Sequence, residues 1–151
     1  MFQCWGVFEN KLYLIDQIRG KWEAVDLERH FIAFYNKHNR PTASIGRLRC
    51  CYVEDKVSGT GLIQSVRAEY SIPIEPIKRG DKRNKVTRAK DNVRFISSGY
   101  VHLPANAVWL SDYLAEFGRF TDLMNHKHDD QIDPTLDAIE LELRMNSDPT
   151  W

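Results

Sequence analysis

Residues 1–18 show two apolar runs separated by a polar turn. The runs are Phe2 to Phe8 and Leu12 to Ile18, and Glu9-Asn10-Lys11 lies between them. Asn10 tolerates the left-handed backbone conformation that a tight hairpin turn needs. The pattern therefore predicts a β-hairpin at the start of the chain.

A helical period follows the hairpin. Between Ala24 and Asn39 apolar side chains recur every three or four positions, which is typical of an amphipathic helix with one buried face. Pro41 is expected to end it, because the residue before a proline is disfavoured in the helical conformation. The predicted buried positions are Leu27, Phe31, Phe34, Tyr35 and His38.

Short strands alternate with helices through the rest of the chain. Strands are predicted at Leu48 to Val53, Ile72 to Ile77 and Tyr100 to Leu103. Pro73 and Pro76 favour a sheet edge or limited pairing for the second, because proline donates no ladder hydrogen bond. The buried faces predicted for the four helices are Leu62, Ile63, Val66 and Tyr70; Val86, Ala89, Val93 and Ile96; Trp109, Leu110, Tyr113, Leu114 and Phe117; and Ile132, Leu136, Ile139 and Leu143. The alternation indicates a mixed α/β sheet flanked by helices.

Length and composition indicate one globular domain. The chain has 151 residues, of which 42% are hydrophobic and 28% charged, as in ordinary globular proteins. We expect the domain to span 1–145 and 146–151 to form a flexible tail. No apolar run is long enough for a membrane span, and no signal-peptide pattern follows Met1. The spacing of Cys4, Cys50 and Cys51 predicts neither a disulfide framework nor a zinc ribbon, which favours a reducing cytoplasm.

Charge is segregated although the net charge is zero. A basic segment from Lys78 to Lys90 contains Lys78, Arg79, Lys82, Arg83, Lys85, Arg88 and Lys90, with Asp81 as its one acid. The part from Asp112 to Asp148 is strongly acidic. A basic segment could bind phosphates and an acidic one could bind metal ions, and the alternative for both is a solvated surface.

Two acidic motifs could carry chemistry. Glu54-Asp55 follows a predicted strand, and α/β sheets place their sites at such carboxyl ends; the alternative is a solvated strand end. The segment His126-Lys-His128-Asp129-Asp130-Gln-Ile-Asp133 holds three carboxylates and two imidazoles, a donor set that suits Mg²⁺ or Mn²⁺. Its alternative is N-capping of the next helix by one of the aspartates, with Pro134 at the first helical position after an Asp133 cap.

The basic segment and a glycine-containing motif bear on nucleic-acid and nucleotide binding. The basic segment leads into a helix that starts near Asn84, an arrangement suited to phosphate binding. The motif Ser58-Gly59-Thr60-Gly61 has no Gly-Lys-Ser/Thr ending. The sequence therefore predicts no ATP site in this chain.

Taken in order, these segments resemble the C-terminal, RNase H-like nuclease domain of the large terminase of tailed phages. Leu14 to Glu23 resembles the family's third strand and its exit, and Val53 to Gln64 its second acidic motif and following helix. Asp81-Lys82 with Lys85 to Ala89 resembles an Asp-Lys…Arg-Ala segment with Arg83 to Lys85 as extra residues; Gly99 to Pro104, Trp109-Leu110 and His128 to Asp133 complete the order. The resemblance covers Trp5 to Leu143.

This resemblance implies an RNase H-like (RuvC-type) mixed sheet and two-metal hydrolysis of concatemeric DNA during genome packaging. In that chemistry carboxylates hold two Mg²⁺ or Mn²⁺ ions about 4 Å apart. Glu54 matches the family's second carboxylate and the pair Asp129-Asp130 its third, with Asp129 as direct ligand, Asp130 as second ligand or water-positioning group, and His128 as an auxiliary ligand. The expected contacts to the backbone of double-stranded DNA are Lys82, Arg83, Lys85 and Arg88.

The sequence departs from the family's pattern at its start and near its end. The family's first catalytic aspartate lies on a strand before the hairpin, and no residue before Phe2 matches it, so we expect a missing first strand, impaired cutting and a site that holds only one ion. Asp16 lies on the wrong strand to replace it. Pro134 stands where the family has a small residue.

The resemblance also predicts partners and a place in the cell, and it leaves alternatives open. An ATPase subunit and a portal would come from other chains, and the place of action would be the cytoplasm of a bacterial host, with no membrane association. The alternatives are a non-catalytic DNA-binding or assembly module, a prophage gene remnant on the same fold, and an unrelated α/β protein whose acidic cluster only caps a helix.

Overall fold

The computed structural model describes residues 1–42, 46–77, 85–120 and 130–144. The chain divides into two compact units, one formed by Met1–Arg19 with Lys82–Trp151 and the other by Gly20–Asp81. The expected tail, 146–151, lies outside the described residues. No helix among the described residues is long and apolar enough to cross a membrane.

Strands and helices alternate after an initial hairpin, as the sequence predicts. The strands are β1 Phe2–Phe8, β2 Lys11–Ile18, β3 Cys51–Glu54, β4 Ile74–Ile77 and β5 Val101–His102. The helices are α1 Ala24–His38, α2 Val57–Glu69, α3 Lys85–Ser97, α4 Leu110–Arg119 and α5 Ile132–Ile139, which continues into a π-helical turn, Glu140–Arg144. The predicted mixed α/β class is confirmed.

The hairpin of the first unit forms where the apolar runs place it. β1 and β2 pair antiparallel from Phe2↔Ile18 to Phe8↔Lys11. Glu9 and Asn10 connect them with φ angles of 48° and 57°. Positive φ at both central residues is typical of the type I′ turn, which commonly joins the strands of a two-residue hairpin. β2 pairs in parallel with β5, which gives the strand order β1-β2-β5.

The core of the first unit lies under the last helix. Leu12 of β2 packs in one cluster with Ala138, Ile139 and Leu143. The four apolar positions that the periodicity predicts as the inner face of this helix are all buried: Ile132, Leu136, Ile139 and Leu143. The predicted inner face of the last helix is confirmed.

The buried face of α3 differs from the predicted one. Val93 and Ile96, assigned to the inner face, are 54% and 37% exposed, whereas Arg88 and Asn92 are buried. The reason lies in the partner: α3 packs against α5 and the π-helical turn, which present Asp137 and other carboxylates to it. A polar helix face is buried because an oppositely charged face covers it.

The second unit contains α1, β3, α2 and β4. β3 and β4 pair in parallel from Cys51↔Ile74 to Glu54↔Ile77. β3 begins at Cys51, three residues later than predicted, and within the described residues β4 pairs with β3 alone, as its prolines suggest. α2 buries Leu62, Ile63 and Val66 as predicted, while Tyr70 is the C-cap and is half-exposed.

Candidate metal and nucleic-acid site

Glu54 is the last residue of β3, at the carboxyl end of a parallel strand pair. Its side chain is 34% exposed, and its Oε1 lies 2.9 Å from Nζ of Lys56. Carboxyl ends of parallel strands are where α/β sheets hold their sites. The position of Glu54 in its own unit is thus the one that the acidic motif predicts.

Gly59 allows α2 to start close to the end of β3. A Cβ atom at Gly59 would lie 2.0 Å from the backbone oxygen of Glu54 and 3.1 Å from Cγ1 of Val53. The neighbouring Asp55 accepts a hydrogen bond of 2.7 Å from Oγ1 of Thr60. Of the two acids in the motif, Asp55 therefore stabilises the first turn of α2, and the backbone of Glu54 is fixed by the packing of Gly59.

Asp130 lies two residues before α5 and is one of the two described carboxylates of the second acidic motif, with Asp133. Its carboxylate is 61% exposed, and its Oδ2 accepts a hydrogen bond of 3.3 Å from Nη2 of Arg19. His128 and Asp129 lie outside the described residues. Asp130 thus offers an accessible carboxylate with a cation beside it.

The capping interpretation is wrong for Asp133. α5 begins at Ile132 and its N-cap is Gln131, which makes no side-chain capping bond. Asp133 is the second helical residue, and its carboxylate forms ion pairs with Lys85 at 2.7 Å and Arg88 at 3.3 Å. Pro134 is accordingly the third helical residue rather than the first. Asp133 contributes to the contact with α3.

The start of α5 is held by Glu116, a residue that the sequence analysis did not single out. The backbone N–H of Gln131 donates to Oε1 of Glu116 at 2.7 Å, and Nε2 of Gln131 donates to Oε2 at 2.6 Å. Glu116 also lies 3.6 Å from Nη1 of Arg19. The available signal was its position three residues after Tyr113, which puts both on the buried face of α4.

Polar side chains continue inward from Gln131. Nε2 of Gln17 donates to Oε1 of Gln131 at 2.6 Å, and Nε2 of Gln3 donates to Oε1 of Gln17 at 3.1 Å. The hydroxyl groups of Tyr113 and Thr135 lie 3.0 Å apart. Burial raises the pKa of Tyr113 to about 12, with a smaller contribution from the charge of Glu116. This network joins the hairpin, α4 and α5 around the residue that follows Asp130.

The basic residues expected to bind DNA differ in their surroundings. Lys82 and Arg83 lie outside the described residues. Lys85 is the first residue of α3 and pairs with Asp133. Arg88 is buried, with Nη2 at 2.6 Å from Asp137 and 3.1 Å from Glu140. Its guanidinium thus contacts carboxylates of its own unit, an arrangement that differs from the phosphate contact expected of it.

The charge of Arg88 is maintained by these carboxylates. Burial by itself lowers the pKa of Arg88, but hydrogen bonds and charge from Glu140, together with Asp137, outweigh burial and raise it above its usual value. Nε of Arg88 donates to Oε2 of Glu140 at 3.3 Å, and Asn92 donates to Oε1 of Glu140 at 2.9 Å. The group is a buried, charge-compensated contact between α3 and the last helix.

The metal ligands that the sequence analysis proposes are distributed over both units. Glu54 belongs to the second unit and Asp130 to the first. Among residues 1–42, 46–77, 85–120 and 130–144 no three His, Cys, Asp or Glu side chains are grouped as a metal site. Glu54 and Asp130 nevertheless each offer a carboxylate, the donor group that suits a divalent ion such as Mg²⁺.

Comparison with known proteins identifies the family. The family model described as "Terminase RNaseH-like domain" matches residues 12–142. Searches of curated proteins and of solved structures gave no significant match. The matched range begins in β2 and ends in the π-helical turn, and so includes both acidic motifs and the helices that follow them. The chain therefore belongs to the family of terminase RNase H-like domains.

Proposed function

We propose that this domain is the metal-dependent endonuclease domain of a phage DNA-packaging enzyme and that it acts on double-stranded DNA. The observation that carries the proposal is the family match over residues 12–142. The position of Glu54 at the carboxyl end of a parallel strand supports it. The ATPase motor and the portal with which such a domain would work are proposed as separate partners.

The proposed metal ligands are Glu54, Asp129 and Asp130, with His128 as an auxiliary ligand. Carboxylate oxygens are the ligands that Mg²⁺ and Mn²⁺ prefer. A bound ion of this kind would supply activation of water and stabilisation of charge on the leaving oxygen. Lys56 and Arg19 already place positive charge beside Glu54 and Asp130, so a divalent ion would compete with these two cations for the carboxylates.

The proposed DNA contacts are Lys82, Arg83 and Lys85. Phosphate contacts by lysine and arginine give binding that is independent of sequence and weakens with salt. Arg88 is left out of this group because its guanidinium is buried among carboxylates. Releasing it for a phosphate would break its 2.6 Å ion pair with the buried carboxylate of Asp137, which is costly.

Calorimetric titration of the full chain with Mn²⁺ tests the metal site. We expect weak binding, and we expect Glu54→Ala and Asp130→Ala each to weaken the same binding event, since both carboxylates would serve one site. Glu69→Ala and Asp112→Asn are matched controls, because both acids are exposed and lie outside the proposed site. They should leave the titration unchanged.

Two outcomes would count against the metal site. One is no Mn²⁺ heat at millimolar concentration, and the other is a titration that Glu54→Ala does not alter. If the first is found together with salt-dependent DNA binding, a non-catalytic DNA-binding or assembly module is favoured.

A further inference from the structure

We propose that Glu116 is a positioning residue for Asp130 and that it acts through Gln131. The inference rests on the proposed function, because positioning matters here only if Asp130 binds a metal ion. It adds to that function Glu116 of α4, a residue that is not itself proposed as a metal ligand.

The contact fixes the peptide next to Asp130 at two points. Glu116 accepts the backbone N–H of Gln131 at 2.7 Å and the side-chain Nε2 at 2.6 Å. The N–H of Gln131 and the carbonyl of Asp130 belong to one planar peptide unit, so holding the N–H also orients the chain that leaves Asp130. Gln131 is only 1% exposed and Glu116 is buried, which leaves this contact little room to move.

Glu116 also supplies one capping bond of α5. In a capping box, a glutamate of the first helical turn accepts the backbone N–H of the N-cap residue. Here the N-cap, Gln131, makes no side-chain capping bond, and Glu116 of α4 accepts the backbone N–H of Gln131. Negative charge at a helix N-terminus is favourable in itself. The carboxylate of the preceding residue, Asp130, accepts from Nη2 of Arg19.

A directional chain of hydrogen bonds determines how the Gln131 side chain faces Glu116. Nε1 of Trp5 donates to Oε1 of Gln3 at 3.1 Å, and Gln3 donates to Gln17 at 3.1 Å. Gln17 donates to Gln131 at 2.6 Å, and Gln131 donates to Glu116 at 2.6 Å. An indole is only a donor and a carboxylate is only an acceptor. Because Trp5 can only donate and Glu116 can only accept, the orientation of the amides of Gln3, Gln17 and Gln131 is fixed. Exchanging the oxygen and NH₂ positions of any one of these amides would place a donor against a donor or an acceptor against an acceptor.

This chain makes a reciprocal exchange possible. Glu116→Gln replaces the terminal acceptor with an amide whose NH₂ faces the donating Nε2 of Gln131. In the double variant Glu116→Gln with Gln131→Glu, the new carboxylate at 131 accepts from the new amide at 116 and from Gln17, while the new amide oxygen still accepts the backbone N–H. The double variant therefore restores both hydrogen bonds between residues 116 and 131, with the direction of one reversed, while the ion pair of Glu116 with Arg19 is lost.

The experiment measures Mn²⁺ affinity and urea unfolding for the full chain and its variants. We expect Glu116→Gln to weaken Mn²⁺ binding by about tenfold or more, as loss of the groups that orient metal ligands commonly does. Gln131→Glu alone should also weaken it, because two carboxylates then face each other, and the double variant should return the affinity to within about threefold of the original. Asp112→Asn, exposed on the same helix, is the control.

The readouts separate positioning from folding. Lower unfolding free energy in Glu116→Gln with unchanged Mn²⁺ affinity would show a structural role only and would overturn the inference. A double variant that recovers stability but not Mn²⁺ affinity would overturn it as well. If the unaltered chain binds no Mn²⁺, the proposed function fails together with the inference, whereas binding that Asp130→Ala weakens and Glu116→Gln leaves intact sinks the inference alone.

Discussion

Nη2 of Arg88 lies 2.6 Å from Oδ1 of Asp137, and both side chains are buried. The same guanidinium contacts Glu140 at 3.1 Å and Asp133 at 3.3 Å. Three carboxylates from the last helix thus converge on one cation from α3. Buried ion pairs of this kind add little net stability as a whole, but removal of one partner leaves an uncompensated charge.

Replacement of Arg88 by Met is expected to lower the free energy of unfolding by about 3–5 kcal/mol, because it removes the buried ion pair with Asp137 together with those to Asp133 and Glu140. The stability of Arg88→Lys should lie between those of Arg88→Met and the original chain, since an ammonium keeps the charge without the forked geometry. Urea unfolding measures both. Arg94→Met is the matched control on the exposed side of α3, and an equal loss there would contradict the assignment.

The salt dependence of DNA binding should show which basic residues contact the DNA. Lys82→Gln and Arg83→Gln are each expected to reduce the slope of log affinity against log salt by about one, as the loss of one phosphate contact does. Arg88→Gln, measured on the folded variant, should leave that slope unchanged, since Arg88 is buried among carboxylates. Fluorescence anisotropy with a labelled duplex measures the slopes. A slope reduced by about one in Arg88→Gln would show that its guanidinium contacts the DNA.

Gly59→Ala should disturb the end of β3. The added Cβ would meet the backbone oxygen of Glu54 at 2.0 Å, so α2 or the strand must shift, at a cost of roughly 1–3 kcal/mol. We also expect weaker Mn²⁺ binding, because Glu54 moves with its backbone. Gly61→Ala is the control: nothing lies within 4 Å of its Cβ, and alanine in a helix should be neutral or stabilising by up to about 1 kcal/mol. Equal effects of the two substitutions would rule out the close approach.

The raised pKa of Tyr113 leads us to expect a loss of stability at high pH. Its folded-state pKa is raised by burial to about 12 from an ordinary value of 10.0, so its contribution is fully present below pH 10 and declines as pH rises towards 12. Between those values the unfolded chain releases the phenol proton first, which favours unfolding by up to roughly 2–3 kcal/mol.

Tyr113→Phe isolates that contribution from the lysines that titrate in the same range. The variant should be less stable at neutral pH by about 1 kcal/mol, because it loses the hydrogen bond to Thr135. Its stability should fall less steeply than that of the original chain above pH 10. Urea unfolding at several pH values tests this, and parallel curves for the two proteins would refute it.

The sequence by itself determines the elements whose burial is apolar or whose turn is local. The hairpin follows from two apolar runs around Glu9 and Asn10, and its strands lie where the runs predict. The inner face of the last helix follows from the spacing of Ile132, Leu136 and Ile139. The order of the motifs also indicates the family that the match over 12–142 shows. Hydrophobic periodicity and turn chemistry are local properties, and they are readable along the chain for that reason.

Only the tertiary structure decides which polar residues are buried and what they hold. Arg88 and Asn92 form the inner face of α3 because carboxylates 45 to 52 positions further along the chain cover them. Glu116 looks like one acid among several, yet it binds the start of α5 because α4 brings it to Gln131. Burial of a polar group depends on a partner that satisfies its charge and hydrogen bonds. That partner is distant in sequence, so the periodicity of the chain does not predict it.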